Sequence, residues 1–142
     1  MCGIAGIYGD LATEFNISKM LNQIEHRGPD HKGYSVNNKI ALGATRLSII
    51  DLSADGNMPM KDTNESYEII FNGEIYNFEE IKKKFNIKTK SRTDTEVILE
   101  LFKIKKENFI EYLNGIFAFA ILDKKNQILF CARDRLGIKP FY

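Results

Sequence analysis

The longest uninterrupted run of apolar residues spans residues 116–122, and its length limits what the chain can fold into. A membrane-spanning helix needs about 20 apolar residues, so this run is too short to cross a bilayer. A short apolar run bounded by polar residues is typical of a buried β-strand. The sequence therefore predicts a core built from short strands and helices, and no membrane partner.

The composition is that of one globular domain. The 142 residues are 44% hydrophobic and 27% charged, which are ordinary proportions for such a domain. The formal net charge of +1 provides no general attraction for nucleic acid, so none is predicted as a partner. Two cysteines are too few for a disulfide scaffold or an all-cysteine zinc site, and no metal site is predicted. No basic, apolar secretory signal opens the sequence, so we expect a cytoplasmic protein.

The first half of the chain alternates strand-like and helix-like segments. Residues 2–8 are predicted as a strand that ends at a Gly-Asp turn. Apolar residues then recur at helical spacing, at Ile17, Met20, Leu21 and Ile24. Residues 39–50 are predicted as one long or two short strands, and residues 51–63 as a loop.

The second half continues the mixture. Residues 67–76 are predicted as strand, turn and strand, because an Asn-Gly pair favours a tight hairpin. Thr93 and Glu96 have the spacing of a capping box at the start of a helix. Residues 115–123 and 127–133 are predicted as a second hairpin. This mixed order indicates an α+β fold, a sheet-rich core partly covered by helices.

Cys2 is the first candidate for chemistry. If Met1 is removed, Cys2 carries a free α-amine beside its thiol. An α-amine ordinarily has a pKa of about 7.7–8.0, so it can take the thiol proton and return it to a leaving group. Nucleophile and base on one residue suit acyl transfer. Taken alone, the Met-Cys start is better explained as a small apolar residue in a first strand.

Acyl transfer also needs donors for a developing oxyanion, and Asn72 with Gly73 is chemically suited to provide them. Alone, that pair is better explained as a turn, but Glu74 adds a carboxylate that a hairpin does not require. Arg46 lies in an apolar stretch, where a guanidinium needs a partner or a ligand. Asp94 at a predicted helix start is explained equally by compensation of the helix dipole.

Seven ordered blocks of sequence surround these residues. They are MCGIAGI at 1–7, HRGPD at 26–30, RLSIIDL at 46–52, NGEIYN at 72–77, SRTDTE at 91–96, LNGIFAFA at 113–120 and ARDRLGIKPFY at 132–142. Together they resemble the class II, N-terminal-nucleophile glutamine amidotransferases, and most of all the glutaminase domain of glutamine-hydrolysing asparagine synthetases. The resemblance implies an Ntn-hydrolase αββα four-layer sandwich.

The resemblance also implies a role for each candidate residue. Cys2 matches the nucleophile, and Asn72 and Gly73 match the oxyanion hole and part of the glutamine site. Residues matching the rest of the glutamine site are Arg46 for the α-carboxylate, Glu74 and Asp94 for the α-ammonium, and Leu47, Ser48, Ile49 and Ile50 for the wall along the side chain. His26, Arg27 and Asp30 are interpreted as structural, because the cysteine already has its base.

By resemblance, the chain hydrolyses glutamine to glutamate and ammonia through a Cys2 thioester, and an ATP-dependent synthetase domain uses the ammonia to amidate aspartate. The sequence contains no phosphate-binding loop. Residues 1–142 are therefore expected to be one amidotransferase domain, an N-terminal fragment truncated at its C-terminal end, whose synthetase domain is absent. No cofactor is expected in this domain, whereas ATP and magnesium are expected in the missing one.

Glutamine and the synthetase domain are the expected partners, and a homodimer is left open. Two alternatives remain. The chain is the glutaminase domain of a related amidotransferase with a different carboxylate acceptor, or it is a folded fragment that binds glutamine without turnover.

Overall fold

The computed structural model describes residues 2–142, which form two antiparallel sheets and three α-helices. The strands are β1 (Gly3–Tyr8), β2 (His31–Asn37), β3 (Ile40–Arg46), β4 (Met60–Lys61), β5 (Tyr67–Ile75), β6 (Gly115–Asp123) and β7 (Ile128–Arg133). The α-helices are α1 (Glu14–Gln23), α2 (Phe78–Phe85) and α3 (Asp94–Lys105), and short 3₁₀ helices span Glu25–Arg27, Ala54–Gly56 and Lys106–Tyr112.

The two sheets lie face to face between layers of helix. The first sheet has the order β1-β3-β2 and the second has the order β4-β5-β6-β7. Strands β1 and β3 contact β5 across the interface, α1 packs on the outside of the first sheet, and α3 packs on the outside of the second. This is the predicted αββα order of layers, and the predicted α+β class is confirmed.

Strand β3 is the centre of the first sheet, and all of its residues are buried. Side chains alternate between the two faces of a strand, so a strand covered on both faces reads as continuously apolar. Ala41 packs with Ile17 and Leu21 of α1, whereas Leu42 belongs to the core between the sheets. The long apolar stretch around residue 40 therefore reflects coverage from both sides.

Aromatic rings fill the space between the second sheet and its helices. The Phe109 ring lies 5.3 Å from that of Phe102 on α3 and 5.6 Å from that of Phe119 on β6, measured between centroids. These rings face outward from the sheet, so the alternate residues of β5 and β6 face the first sheet. Asn72 lies on that inward side, in register with Ala118.

The predicted hairpin at residues 67–76 is wrong. Those residues form one continuous strand, β5, in which Asn72 and Gly73 pair with Ala118 and Phe117 of β6. Neither residue has a positive φ, which the predicted turn requires. Pairing with β6 along the full length of β5 outweighs the local turn preference.

Other boundaries also differ from the prediction. The strand predicted across residues 39–50 ends at Arg46, and residues 47–50 leave the sheet as an irregular segment. Strand β2 was not predicted, because its alternating exposed and half-buried residues carry little apolar signal. The hairpin of β6 and β7 is confirmed. No helix within residues 2–142 has the length and apolar character needed to span a bilayer.

Candidate active site

A cavity of about 200 Å³ opens where the ends of several strands meet. Antiparallel pairing sets Gly3 opposite Thr45, so the start of β1 adjoins the end of β3. The last residues of β5 and the first residues of α3 form the facing wall. The predicted site residues that line the cavity are Cys2, Arg46, Leu47, Ile49, Ile50, Asn72, Gly73, Glu74 and Asp94. Ser48 does not line it.

The backbone around Cys2 is held from two sides. Arg27 donates a hydrogen bond from Nε to the Cys2 carbonyl oxygen at 3.2 Å, and Gly3 donates from its N–H to the Thr45 hydroxyl at 3.2 Å. The Cys2 thiol is half-buried, and its Sγ lies 3.9 Å from the Leu47 carbonyl oxygen. These bonds direct the thiol into the cavity. The predicted removal of Met1 falls outside the described residues.

Arg46 is buried at the end of β3 with only neutral acceptors. Its Nη1 donates to the Ser53 carbonyl oxygen at 2.7 Å and to the Asn57 side-chain oxygen at 2.9 Å, and its Nη2 donates to the Asp51 carbonyl oxygen. Among the described residues, no carboxylate forms an ion pair with this guanidinium. A buried guanidinium with no carboxylate in direct contact favours an anionic ligand.

Gly56 allows the guanidinium to occupy this position. A Cβ at residue 56 would overlap the Arg46 guanidinium, so a larger residue would force it to move.

Asn72 and Gly73 form the floor of the cavity. Asn72 is 3% exposed, and its side-chain oxygen has no hydrogen-bond partner among the described residues. Unsatisfied buried polar atoms are rare in folded proteins, and a role in catalysis or binding is one explanation for them. A Cβ at Gly73 would overlap the Ile116 carbonyl oxygen, so only glycine fits between β5 and β6 at this point.

Asp94 and Glu74 make the opposite side acidic. Asp94 lies at the start of α3, where it is 5% exposed and accepts a hydrogen bond from the Ile75 N–H at 2.9 Å. Burial raises the pKa of Asp94 to about 6, against the hydrogen bonds from Ile75, Thr95 and its own N–H, and the nearby Glu74 charge adds to the rise. The site therefore holds a carboxylate that is poorly solvated and favours a cationic ligand.

The capping box predicted for α3 is half formed. The Thr93 hydroxyl accepts from the Glu96 N–H at 3.4 Å. The Glu96 carboxylate accepts instead from the N–H groups of Lys90 and Ser91, at 2.9 and 2.6 Å. Glu96 thereby holds the segment before α3 in place and helps to fix the direction of the helix.

Lys139 also lines the cavity, although the sequence did not predict it as a site residue. It is 4% exposed and lines the cavity with Cys2. The Asp134 carboxylate positions it, since it accepts from the Lys139 N–H at 2.9 Å and from the Phe117 N–H at 3.2 Å. Burial opposes ionisation, but these and neighbouring N–H groups hold the pKa of Asp134 below its usual value. An Asp three residues before a glycine with positive φ, Gly137, is the turn signal that indicates this arrangement.

Of the three residues interpreted as structural, two hydrogen-bond to backbone groups beside the site. Arg27 binds the Cys2 carbonyl oxygen, and Asp30 accepts from the Ser48 N–H at 2.7 Å. Neither lines the cavity, and His26 does not line it either. Within residues 2–142, no group of three or more His, Cys, Asp or Glu residues is placed to hold a metal ion.

The chain is similar to known proteins along its whole length. A family model described as "Glutamine amidotransferase domain" matches residues 1–142. The chain is 44% identical over 162 residues to a Methanocaldococcus jannaschii protein named as a glutamine-hydrolysing asparagine synthetase, covering 100% of this chain and 32% of that protein. It is 40% identical over 151 residues to asparagine synthetase 1 of Bacillus subtilis, covering 100% and 24%. The chain thus spans about a quarter to a third of these curated relatives.

A solved structure shares the fold. The glutamine phosphoribosylpyrophosphate amidotransferase of Bacillus subtilis, solved with ADP and GMP, superposes with a TM-score of 0.83 and 19% identity. The match covers 99% of this chain and 38% of the other. It confirms the predicted Ntn-hydrolase amidotransferase fold.

Proposed function

The chain belongs to the glutamine amidotransferase domain family, and we propose that it hydrolyses glutamine to glutamate and ammonia. One observation carries this proposal. The cavity brings the Cys2 thiol together with the buried Arg46 guanidinium, which has no ion-pair partner among the described residues, and with the carboxylates of Glu74 and Asp94. A free amino acid carries an anion and a cation on one carbon, and this set of charges is complementary to both.

In the proposed reaction, the Cys2 thiolate attacks the side-chain amide carbon of glutamine. The α-amine of Cys2, free once Met1 is removed, takes the thiol proton. The side-chain NH₂ of Asn72 and the N–H of Gly73 donate to the developing oxyanion. The amine then returns the proton to the departing nitrogen, so that ammonia leaves and a thioester remains. Water attacks the thioester, which releases glutamate and restores the thiol.

Substrate selection follows from the two charged sides. Arg46 binds the α-carboxylate of glutamine, and Asp94 with Glu74 binds the α-ammonium. The side chain lies along the wall of residues 47–50, of which Ile49 is 73% exposed. A glutamine within a peptide has neither charge, so it would offer the buried Arg46 and Asp94 no opposite charge. Sites with buried polar groups reject such analogues strongly.

We further propose that the ammonia serves an ATP-dependent synthetase domain that amidates aspartate. The support is the naming of the relatives, together with their additional length beyond the matched domain. In this proposal, the residues that select the carboxylate substrate to which the ammonia is added belong to that synthetase domain, not to the glutamine cavity. ATP and magnesium belong to that partner domain in this proposal.

The test is glutamine hydrolysis by Cys2→Ala, with Cys131→Ala as the matched control. Cys131 is a second free thiol, exposed on β7 and absent from the cavity. We expect Cys2→Ala to release no ammonia while its urea midpoint stays close to that of the wild type, and Cys131→Ala to keep full activity.

A reactive glutamine analogue such as a diazo-ketone gives an independent readout. Intact mass and peptide mapping should show a chain that lacks Met1 and carries one adduct on Cys2. Ammonia release by Cys2→Ala at the wild-type rate would overturn the mechanism. Glutamine binding by calorimetry without any turnover would support the alternative of an idle binding module.

A further inference from the structure

Resting on the proposed glutaminase function, we propose that Asp51 is a positioning residue whose carboxylate joins the two halves of the glutamine site. One half is Arg46 with residues 47–57, which face the α-carboxylate and side chain of the substrate. The other is the start of α3, which carries Asp94. Asp51 lines the cavity and lies in the RLSIIDL block, but the resemblance assigns it no role.

The hydrogen bonds of Asp51 reach both halves. One carboxylate oxygen accepts from the Ser53 N–H at 2.8 Å, within the loop. The other accepts from the Arg92 N–H at 2.9 Å, in the segment that leads into α3. The carbonyl oxygen of the same residue accepts from Nη2 of Arg46. Asp51 thus contacts the Arg46 guanidinium directly. It is connected to Asp94 through the backbone of Arg92 and the residue that follows it.

This connection has no substitute in the described part of the chain. Between residues 47–57 and residues 88–96, the Asp51–Arg92 bond is the one hydrogen bond that forms within residues 2–142. The loop is otherwise tied to its own side of the cavity, through Arg46 and through the bond from the Ser48 N–H to Asp30. Without Asp51, the distance between the two charged sides would depend on packing alone.

The carboxylate keeps its charge at every pH used in an activity assay. The Arg92 N–H, the Ser53 hydroxyl and the Ser53 N–H lower the pKa of Asp51 to about 2, and the nearby Arg46 charge contributes. The contribution of Asp51 to substrate binding is therefore expected to be constant between pH 5 and pH 9. This sets it apart from Asp94, whose pKa of about 6 lies inside that range.

Asp51→Asn keeps the size of the side chain and removes one of its two acceptor oxygens. The substituted amide can accept one of the two N–H groups, while its NH₂ faces the other donor. We expect the loop to separate from the segment before α3, with an increase of tenfold or more in the KM for glutamine and a kcat within threefold of the wild type. Asp55→Asn is the matched control, because Asp55 is an exposed carboxylate on the same loop.

Two labelling reactions separate positioning from a general loss of structure. Iodoacetamide alkylates the Cys2 thiol without needing the amino-acid site, whereas the diazo-ketone analogue of glutamine needs both charged sides. In Asp51→Asn we expect iodoacetamide to label Cys2 at the wild-type rate and the analogue to label Cys2 tenfold more slowly. Peptide mapping distinguishes Cys2 from the exposed Cys131. Equal slowing of both rates, or a KM within twofold of the wild type, would overturn the proposal.

Hydrogen exchange provides a readout that does not depend on turnover. In Asp51→Asn, exchange should increase across residues 47–57 and at Arg92, and it should stay at the wild-type rate in Asp55→Asn. Unchanged exchange in Asp51→Asn refutes the connection, whatever the activity. A wild-type chain that shows neither turnover nor labelling by the analogue counts instead against the proposed glutaminase.

Discussion

Replacing Asp94 by Asn tests whether this carboxylate is held in its charged form at the expense of stability. Asp94 is almost fully buried, and its pKa is about 6 against an ordinary value of 3.8. A carboxyl group whose pKa is raised on folding destabilises the folded state when it ionises. The asparagine oxygen can still accept from the Ile75 N–H, so the substitution removes the charge and keeps the hydrogen bond.

The size of the effect follows from the two pKa values. Each pKa unit corresponds to about 1.4 kcal/mol, so ionised Asp94 destabilises the folded state by about 3 kcal/mol well above pH 6. At pH 4.5 the folded protein keeps most of its Asp94 protonated, and linkage reduces the cost to about 1 kcal/mol. The free energy of unfolding of Asp94→Asn, relative to that of the wild type, should therefore increase by about 2 kcal/mol between pH 4.5 and pH 7.5.

Urea unfolding followed by far-ultraviolet circular dichroism is the assay, because the chain has no tryptophan to report by fluorescence. The control is Asp55→Asn, an exposed site where the expected change is within about 0.5 kcal/mol at both pH values. Glutamine hydrolysis by Asp94→Asn should fall at the same time, since the α-ammonium loses its partner. An Asp94→Asn variant no more stable than the wild type at pH 7.5 would refute the reasoning.

Two further predictions concern residues that shape the cavity. Gly73→Ala places a Cβ on the Ile116 carbonyl oxygen and should lower the free energy of unfolding by about 2 kcal/mol, whereas Gly6→Ala, whose nearest contact is Leu42 at 3.5 Å, should change it little. Asp134→Ala leaves four backbone N–H groups without their acceptor and should cost about 2–4 kcal/mol in the same urea assay. Exposed Asp10→Ala should cost less than about 1 kcal/mol, and equal losses in the two Asp variants would contradict the assigned role of Asp134.

Local patterns were sufficient where local physics decides the structure. The helical spacing around Ile17 and Leu21 predicted α1, and the apolar run at 116–122 predicted β6, because both elements bury one or two whole faces. The same reasoning failed at Asn72-Gly73. There the turn preference is real, but β6 offers backbone pairing along the whole of β5, and tertiary pairing prevails.

Some residues that line the cavity were predicted from the sequence and others were not. Cys2, Arg46, Asn72, Gly73, Glu74 and Asp94 could be identified from the sequence because ordered blocks of residues resemble a known family. Lys139 and Asp51 lie in the same blocks, but the resemblance assigns no role to either. Lys139 lines the cavity on a turn whose N–H groups, its own included, donate to the Asp134 carboxylate. Asp51 acts through the N–H of Arg92, a residue 41 positions away.

The sequence by itself determined the types of chemical group available: one thiol beside the N-terminus, a cation in an apolar stretch, and carboxylates near turns. It also determined most elements, because periodicity and caps act over a few residues. Only the tertiary structure decided which groups line the same cavity and how burial changes their protonation. Burial of Asp94 and the antiparallel contact of β1 with β3 depend on residues far apart in the chain. Neither the desolvation of a side chain nor the distance between two strands can be read from a local sequence pattern, because both depend on residues that are distant in the chain.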